Sequence, residues 1–276
     1  MSRALVTLDD ITEALIETGA DLSRKNAANF MKDLIRPHKA SNSWPEELKR
    51  LRIGGRQVTG GGRAFKFIPY SEGQTEPFPN PFGYHSDMPV HFIESVSMSQ
   101  ANKALGRDDE TYLIQVALRL RLVETHFALK SPLNIAEVSH LQIGIKLRRT
   151  EIDSLYSAVV QNEEGQSQIL ITTEAKRRGQ RILAGQVMQQ VHAAFAIGPD
   201  YDTVVPLAMT SAEGGVYVAE FKAVHRSAIT EFASLELETE AYYRFVPPVP
   251  GISPKLRRRA KSKLPSRRRN ALKIEG

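Results

Sequence analysis

Cysteine is absent from all 276 residues, which excludes disulfides and thiolate metal sites. That composition fits a reducing compartment. No apolar run approaches the length of a bilayer span. The first residues, Met-Ser-Arg-Ala-Leu-Val-Thr-Leu-Asp-Asp, lack the apolar core of a signal peptide. A cytoplasmic protein with no membrane partner is therefore expected. There is no internal repeat, no Gly-rich phosphate loop and no Ser/His/Asp pattern. His126, His140, His192 and His225 share no metal-ligand spacing, so structural roles are expected for them. What is present is 41% hydrophobic residues, sufficient for one large domain or two smaller ones at this length.

Acid is nearly missing from one place. From Ser253 to Gly276 there are ten Lys and Arg against the single Glu275, a net +9, so the rest of the chain carries −3 of the total of +6. The basic character is a property of this tail (residues 251–276 as a region). Such a segment is expected to be solvated and to attract nucleic acid without reading its sequence.

Residues 1–70 read as a small separate unit. Apolar spacing predicts a helix over 9–18, with Ile11, Leu15 and Ile16 inward and Gly19 ending it. A second helix is predicted over 24–36, with Ser23 as its N-cap and Pro37 closing it. A third, over 45–51, has Pro45 in its first turn. The run 56–68 reads as two strands around Gly60, Gly61 and Gly62. Helices followed by a Gly-turned hairpin suggest a winged helix. Lys25, Asn26, Asn29 and Lys32 would then face a DNA groove, and Arg56 and Arg63 would contact the backbone.

Residues 71–90, with Pro77, Pro79, Pro81 and Pro89, form a linker or an irregular arm. Residues 91–250 alternate between patterns. A long helix is predicted over 111–129, strands over 141–146, 152–160 and 169–175, a turn over 161–167, a helix over 181–195, and strands over 203–209 and 215–224. The fold class is α/β (α+β), a mixed sheet flanked by helices.

The hairpin 152–175 carries the chemistry. Period-two alternation places Leu170, Thr172, Glu174 and Lys176 on one face. Pairing across the turn sets Asp153 beside Glu174 or Ala175. Two adjacent carboxylates favour Mg²⁺, which takes oxygen ligands along with water and phosphate. Asp153, Glu174 and the Ala175 carbonyl are the candidate ligands. Glu124, on the preceding long helix, would add one through water. Lys176 would orient a water or stabilise the transition state. Glu-x-Lys also occurs at Glu47–Lys49 and at Glu220–Lys222, the latter downstream of Asp200. The middle copy is favoured by its Asp across a hairpin and by Gln186, Gln189 and Gln190 on the helix that follows. The competing structural reading is an ion pair of Lys176 with Asp153 or Glu174 at a sheet edge.

Asp153, then Glu174-Ala-Lys176, then Gln186 resembles the PD-(D/E)xK nuclease superfamily, over roughly residues 110–225. Ile152 stands where the motif name has Pro, at a position that varies in the superfamily. The resemblance implies a restriction-endonuclease-like fold, metal-binding Asp153 and Glu174, a catalytic Lys176 and an accessory Gln186. Residues 25–36, Ser43-Trp-Pro45 and the Gly-rich hairpin are also similar to leader domains of restriction endonucleases. The implied activity is Mg²⁺-dependent hydrolysis of double-stranded DNA by a type II restriction endonuclease, leaving 5′-phosphate and 3′-hydroxyl ends. A palindromic target implies a homodimer, and a restriction system implies a cognate DNA methyltransferase as functional partner. The alternatives are a structure-selective repair or mobile-element nuclease and a catalytically inactive DNA-binding regulator.

Overall fold

A computed structural model of the chain describes residues 4–19, 44–57, 62–78, 82–147, 150–163, 165–232 and 234–252. The helix expected over 24–36, with Lys25, Asn26, Asn29 and Lys32, lies outside the described residues, as does the basic segment 253–276.

The N-terminal unit begins with β1 (Leu5–Thr7) running directly into α1 (Leu8–Glu17). Thr7 makes the junction a sharp one. Its Oγ1 accepts from the Asp10 amide at 3.1 Å, and the Thr7 amide donates to Asp10 Oδ2 at 2.8 Å. This capping box satisfies amides that the first turn leaves orphaned. Gly19, at φ +61, takes the left-handed position past the helix end. Ile11 and Leu15 are buried, but Ile16 is 55% exposed. The inward placement expected for Ile16 fails because one residue is a turn of about 100° around the helix, whereas residues four apart stay on one face.

Helix α2 (Glu46–Arg50) leads to β2 (Ile53–Gln57) and β3 (Arg63–Pro69), giving a three-stranded antiparallel sheet in the order β1-β3-β2. Period two sends Phe65 and Phe67 of β3 to the inner face. There they meet Trp44, whose ring stands nearly edge-on to Phe78 at 4.9 Å and whose Nε1 donates to the Ile53 carbonyl at 2.8 Å. Lys66 points the other way, in register with Arg56, and both are exposed. Gly54 and Gly55 are required by close approach: a Cβ at Gly54 would collide with the Pro77 backbone, and one at Gly55 with the Phe65 ring.

The larger sheet has eight strands. Its order is β4 (Val90–Glu94), β11 (Leu237–Val246), β9 (Gly215–Phe221), β8 (Thr203–Ala212), β7 (Gly165–Lys176), β6 (Glu151–Asn162) and β5 (Ile135–Lys146), with β10 (Val224–His225) pairing β8 beyond the end of β9. The β4–β11 and β7–β8 pairs are parallel and the rest antiparallel, so the sheet is mixed. Helices α4 (Glu110–Arg119) and α5 (Leu122–Leu129), preceded by short α3 (Gln100–Ala104), cover one face over Tyr156, Ile171, Val205 and Val218. Helix α6 (Ala184–Ile197) covers the other. It packs on Leu170 and Val204 and, with Met88 from the irregular arm, on Ala208, Ala219 and Tyr242. Strand β7, paired on both edges and covered on both faces, is buried at every residue from 169 to 176.

Several elements differ from expectation. The long helix over 111–129 is two helices, broken where Arg121 adopts φ +51. A left-handed residue costs about 1 kcal/mol. The break lets Tyr112, Leu113 and Val116 in α4 and Leu122, Val123 and Phe127 in α5 all bury against the sheet. The turn expected over 161–167 is tighter, with Asn162 and Gly165 facing each other as the last pair. Strands β4 and β11 lie beyond the expected set, and β5 begins at Ile135, before the expected 141.

Gly54→Ala is expected to destabilise the N-terminal unit by about 1–3 kcal/mol through overpacking against backbone. Urea unfolding followed by the fluorescence of Trp44, the only tryptophan, checks this. An unchanged midpoint would contradict the packing described.

Candidate active site

Strands β6 and β7 pair with Ser154 opposite Thr173, so Asp153 falls beside the next residues of β7, Glu174 and Ala175. The side chain of Asp153 continues the ladder where backbone pairing stops: its Oδ2 accepts from the Ala175 amide at 2.8 Å. In an extended strand the N–H and C=O of one residue turn to the same side, which directs the Ala175 carbonyl toward Asp153 as well.

Glu174 and Lys176 follow two residues apart on the same strand face and are 3% and 2% exposed. Burying charged groups this deeply requires partners, and three elements supply them. Lys176 Nζ pairs with Glu174 Oε1 and lies 3.8 Å from Glu110 Oε1, at the start of α4. Gln190 of α6 donates its amide to Glu174 Oε2 and also reaches the Glu151 carbonyl at 3.2 Å. Gln180, with its amide oriented to satisfy both neighbours, donates to Glu110 Oε1 at 2.8 Å and accepts from Arg177 Nε at 3.1 Å. Three carboxylates, Asp153, Glu174 and Glu110, thus surround one ammonium.

The charge excess appears in Asp153. Burial first, and the neighbouring Glu174 second, push its pKa from 3.8 up to about 7; the Ala175 amide and Lys176 oppose the rise, and Glu110 adds to it. A carboxylate held this far from its ordinary range marks a site where a further positive charge would be welcome.

The expected residues divide accordingly. Asp153, Glu174, Ala175 and Lys176 are brought together. Gln186 is not among them: it lies in the first turn of α6, and the amide touching Glu174 belongs to Gln190, four residues on. The signal was in the sequence. Gln190 interrupts the apolar stripe Val187, Val191, Ala194, at a position that faces the sheet. Glu124 is also displaced. It is on α5, past the break at Arg121, with which it pairs at 3.4 Å, and it lies beside Tyr156 and His140. The helix acid at the site is Glu110 instead. Its place among Asp108, Asp109 and Glu110 reads in the sequence as ordinary helix-start acid, which concealed it.

Of the residues expected to contact DNA, Arg56 is exposed on β2 and Arg63 is exposed at the start of β3. The other Glu-x-Lys copies do not form comparable centres. Glu47 is on α2 of the small unit. Glu220 is buried against His126, at 3.2 Å, and accepts from Ser131 at 2.7 Å, while Lys222 is 57% exposed and pairs with Glu236 at 2.7 Å. Asp200 is exposed in the turn before β8.

Among the described residues, no three His, Cys, Asp or Glu side chains are close enough together to form an all-protein metal cage. A pair of carboxylates with a backbone carbonyl is the donor set that suits Mg²⁺, which keeps several waters and takes only one or two carboxylates. The strained ionisation of Asp153 fits a cation there too. Comparison of the chain with protein-family models, with curated proteins and with solved structures finds no match.

Asp153 makes metal-free stability depend on pH. Its pKa is raised on folding, so the folded state holds a proton that the unfolded state releases between 3.8 and about 7. The contribution is full below pH 4 and is lost as pH rises through 7. Asp153→Asn is therefore expected to be more stable than the parent at pH 8 in EDTA and to lose that advantage by pH 4.5. Urea midpoints at the two pH values check it; an advantage that grows as pH falls would contradict it.

Proposed function

We propose that this chain is a Mg²⁺-dependent endonuclease acting on double-stranded DNA, of the restriction-endonuclease kind. The observation that carries the reading is the convergence of Asp153, Glu174 and Lys176 on the end of one hairpin, in a charge-rich cluster that no sheet needs for its own stability. A structural ion pair accounts for Glu174 with Lys176. It does not account for Asp153, a third ionisable group whose ionisation the cluster disfavours.

Asp153 and Glu174, with the Ala175 carbonyl, would hold the ion. When bound, Mg²⁺ supplies Lewis-acid stabilisation of the scissile phosphate and a more acidic water. The chain's own groups do the rest. Gln190 fixes the Glu174 carboxylate through Oε2. Glu110 and Glu174 fix the Lys176 ammonium from two sides. An ammonium has three protons to donate, so two carboxylates leave one for an attacking water or a phosphoryl oxygen. Burial strengthens that donation, since little water competes for it.

The N-terminal unit supports a DNA partner. Its sheet order β1-β3-β2, with α1 between the first two strands in sequence, is the arrangement a winged helix would have. Arg56 and Lys66 stand side by side on its outer face, where like charges would repel without an anionic partner. A homodimer acting on a palindrome and a cognate methyltransferase belong to the restriction reading and stand or fall with it.

Incubation with phage DNA and Mg²⁺ is expected to give discrete fragments, and EDTA to abolish them. Asp153→Ala and Lys176→Ala should each lower the rate at least about a hundredfold with the fold retained by circular dichroism. Gln190→Ala should slow cleavage more than Gln186→Ala does. Full activity in Lys176→Ala would refute the assignment of the centre. Preference for branched over linear duplexes would favour a repair nuclease.

A further inference from the structure

One exposed cation stands beside the candidate site. Arg177 directly follows Lys176, yet Lys176 is 2% exposed whereas Arg177 lies open to solvent. The chain turns back at once. The Gln180 backbone amide donates to the Arg177 carbonyl at 3.1 Å, and Gly179 has φ +78, a value open to glycine at the third position of a tight turn. The turn returns the Gln180 side chain to Arg177. Gln180 accepts from Arg177 Nε at 3.1 Å and donates to Glu110 Oε1 at 2.8 Å, and Glu110 Oε1 lies 3.8 Å from the Lys176 ammonium. A short relay of side chains thus ties the exposed guanidinium to the buried ammonium.

The other arginines of the neighbouring loops are committed to the protein. Arg178 donates through Nη2 to the Ile252 carbonyl. Arg181 donates to the Phe78 carbonyl and pairs with Glu76, and Arg107 lies 3.5 Å from Asp109. Arg177 pairs with no carboxylate among the described residues, and Gln180 occupies only its Nε. A guanidinium carries five N–H donors, so the four on its two Nη atoms are left for another partner. Ordering a long exposed side chain costs rotamer entropy, and a contact with a neutral amide returns little of it. A planar fork held through one nitrogen is prepared for an anion with two oxygens to offer.

The charges of the site decide where that anion sits. Asp153, Glu174 and Glu110 surround Lys176, and an ion bound by Asp153 and Glu174 would answer the scissile phosphate. The next phosphate along the strand brings a further negative charge toward the same carboxylates and is repelled unless a cation meets it. Arg177 is exposed where such a cation is needed.

We propose that Arg177 holds a DNA phosphate next to the scissile one, with Gln180 orienting its guanidinium. The proposal rests on the nuclease reading for the position of that phosphate, so contact and position are tested separately. With Ca²⁺ in place of Mg²⁺, the affinity of the full chain for a 30-base-pair duplex is measured against salt. Arg177→Gln should make the slope of log K on log salt shallower by about 0.9, the contribution of one phosphate contact. Arg177→Lys should restore the slope, which a merely structural contact with Gln180 would not require. An unchanged slope in Arg177→Gln overturns the proposal.

Position is read on a duplex whose cut has been mapped in Mg²⁺. A neutral methylphosphonate replaces each phosphate flanking the cut in turn. One of these duplexes should be cleaved more slowly by the parent, by roughly tenfold, the scale of one hydrogen bond to a charged group. Arg177→Gln should be slowed far less by the same replacement, because the contact is already gone. Equal slowing of parent and variant at every flanking position overturns the proposal. A slope that falls in Arg177→Gln on DNA that Mg²⁺ never cleaves would refute the nuclease reading and leave the phosphate contact standing.

Discussion

An ammonium buried to 2% exposure on the central strand of a sheet is tolerable only if its charge is answered at once. Lys176 is answered by Glu174 beside it and by Glu110 from across the site. Each partner is itself a buried or half-buried carboxylate that needs hydrogen bonds of its own. Gln190 is drawn in by Glu174, and Gln180 by Glu110. One charged residue on β7 thereby fixes how α4 starts, how α6 lies over the sheet and how the loop between β7 and α6 is shaped. Replacing the cluster with apolar residues of equal volume would satisfy the same space at less desolvation cost. Its presence is an argument for chemistry.

The β7–α6 loop also joins the two parts of the molecule. Arg181, 3% exposed, donates to the Phe78 carbonyl and pairs with Glu76 at 3.1 Å, and Leu183 enters the cluster of Trp44, Phe65 and Phe78. The residues that follow Lys176 therefore belong simultaneously to the site, through Arg177 and Gln180, and to the foundation of the N-terminal unit, through Arg181 and Leu183. The small unit is set against the site by packed side chains.

The hairpin was the part most legible from sequence. A polar turn between two period-two strands fixes register, and register alone brings Asp153 to Glu174 and Ala175. The helix contributions were harder to read. Gln186 and Gln190 lie on the same face of a helix, so periodicity offers both. Which one meets Glu174 depends on where α6 starts, and Leu183 sets that start by docking on the N-terminal unit, a tertiary contact. Glu124 is the acid that a single long helix over 111–129 offers as a ligand through water. The break at Arg121 has no glycine or proline to announce it and follows from burying two apolar sets against one surface. Strand β11 was hidden because its first residues, Leu237-Glu-Thr-Glu, are acidic and partly exposed, and only Ala241, Tyr242, Tyr243 and Phe245 are in the core.

The central claim is that Asp153 and Glu174 are a cation site. Anomalous diffraction from crystals grown with Mn²⁺, a substitute for Mg²⁺ that scatters strongly, tests this most directly. The account predicts a peak bridging the Asp153 and Glu174 carboxylates, lost in Asp153→Asn crystals. Peaks elsewhere, with the Lys176 ammonium still paired to Glu174 and nothing bound between the two acids, would contradict it.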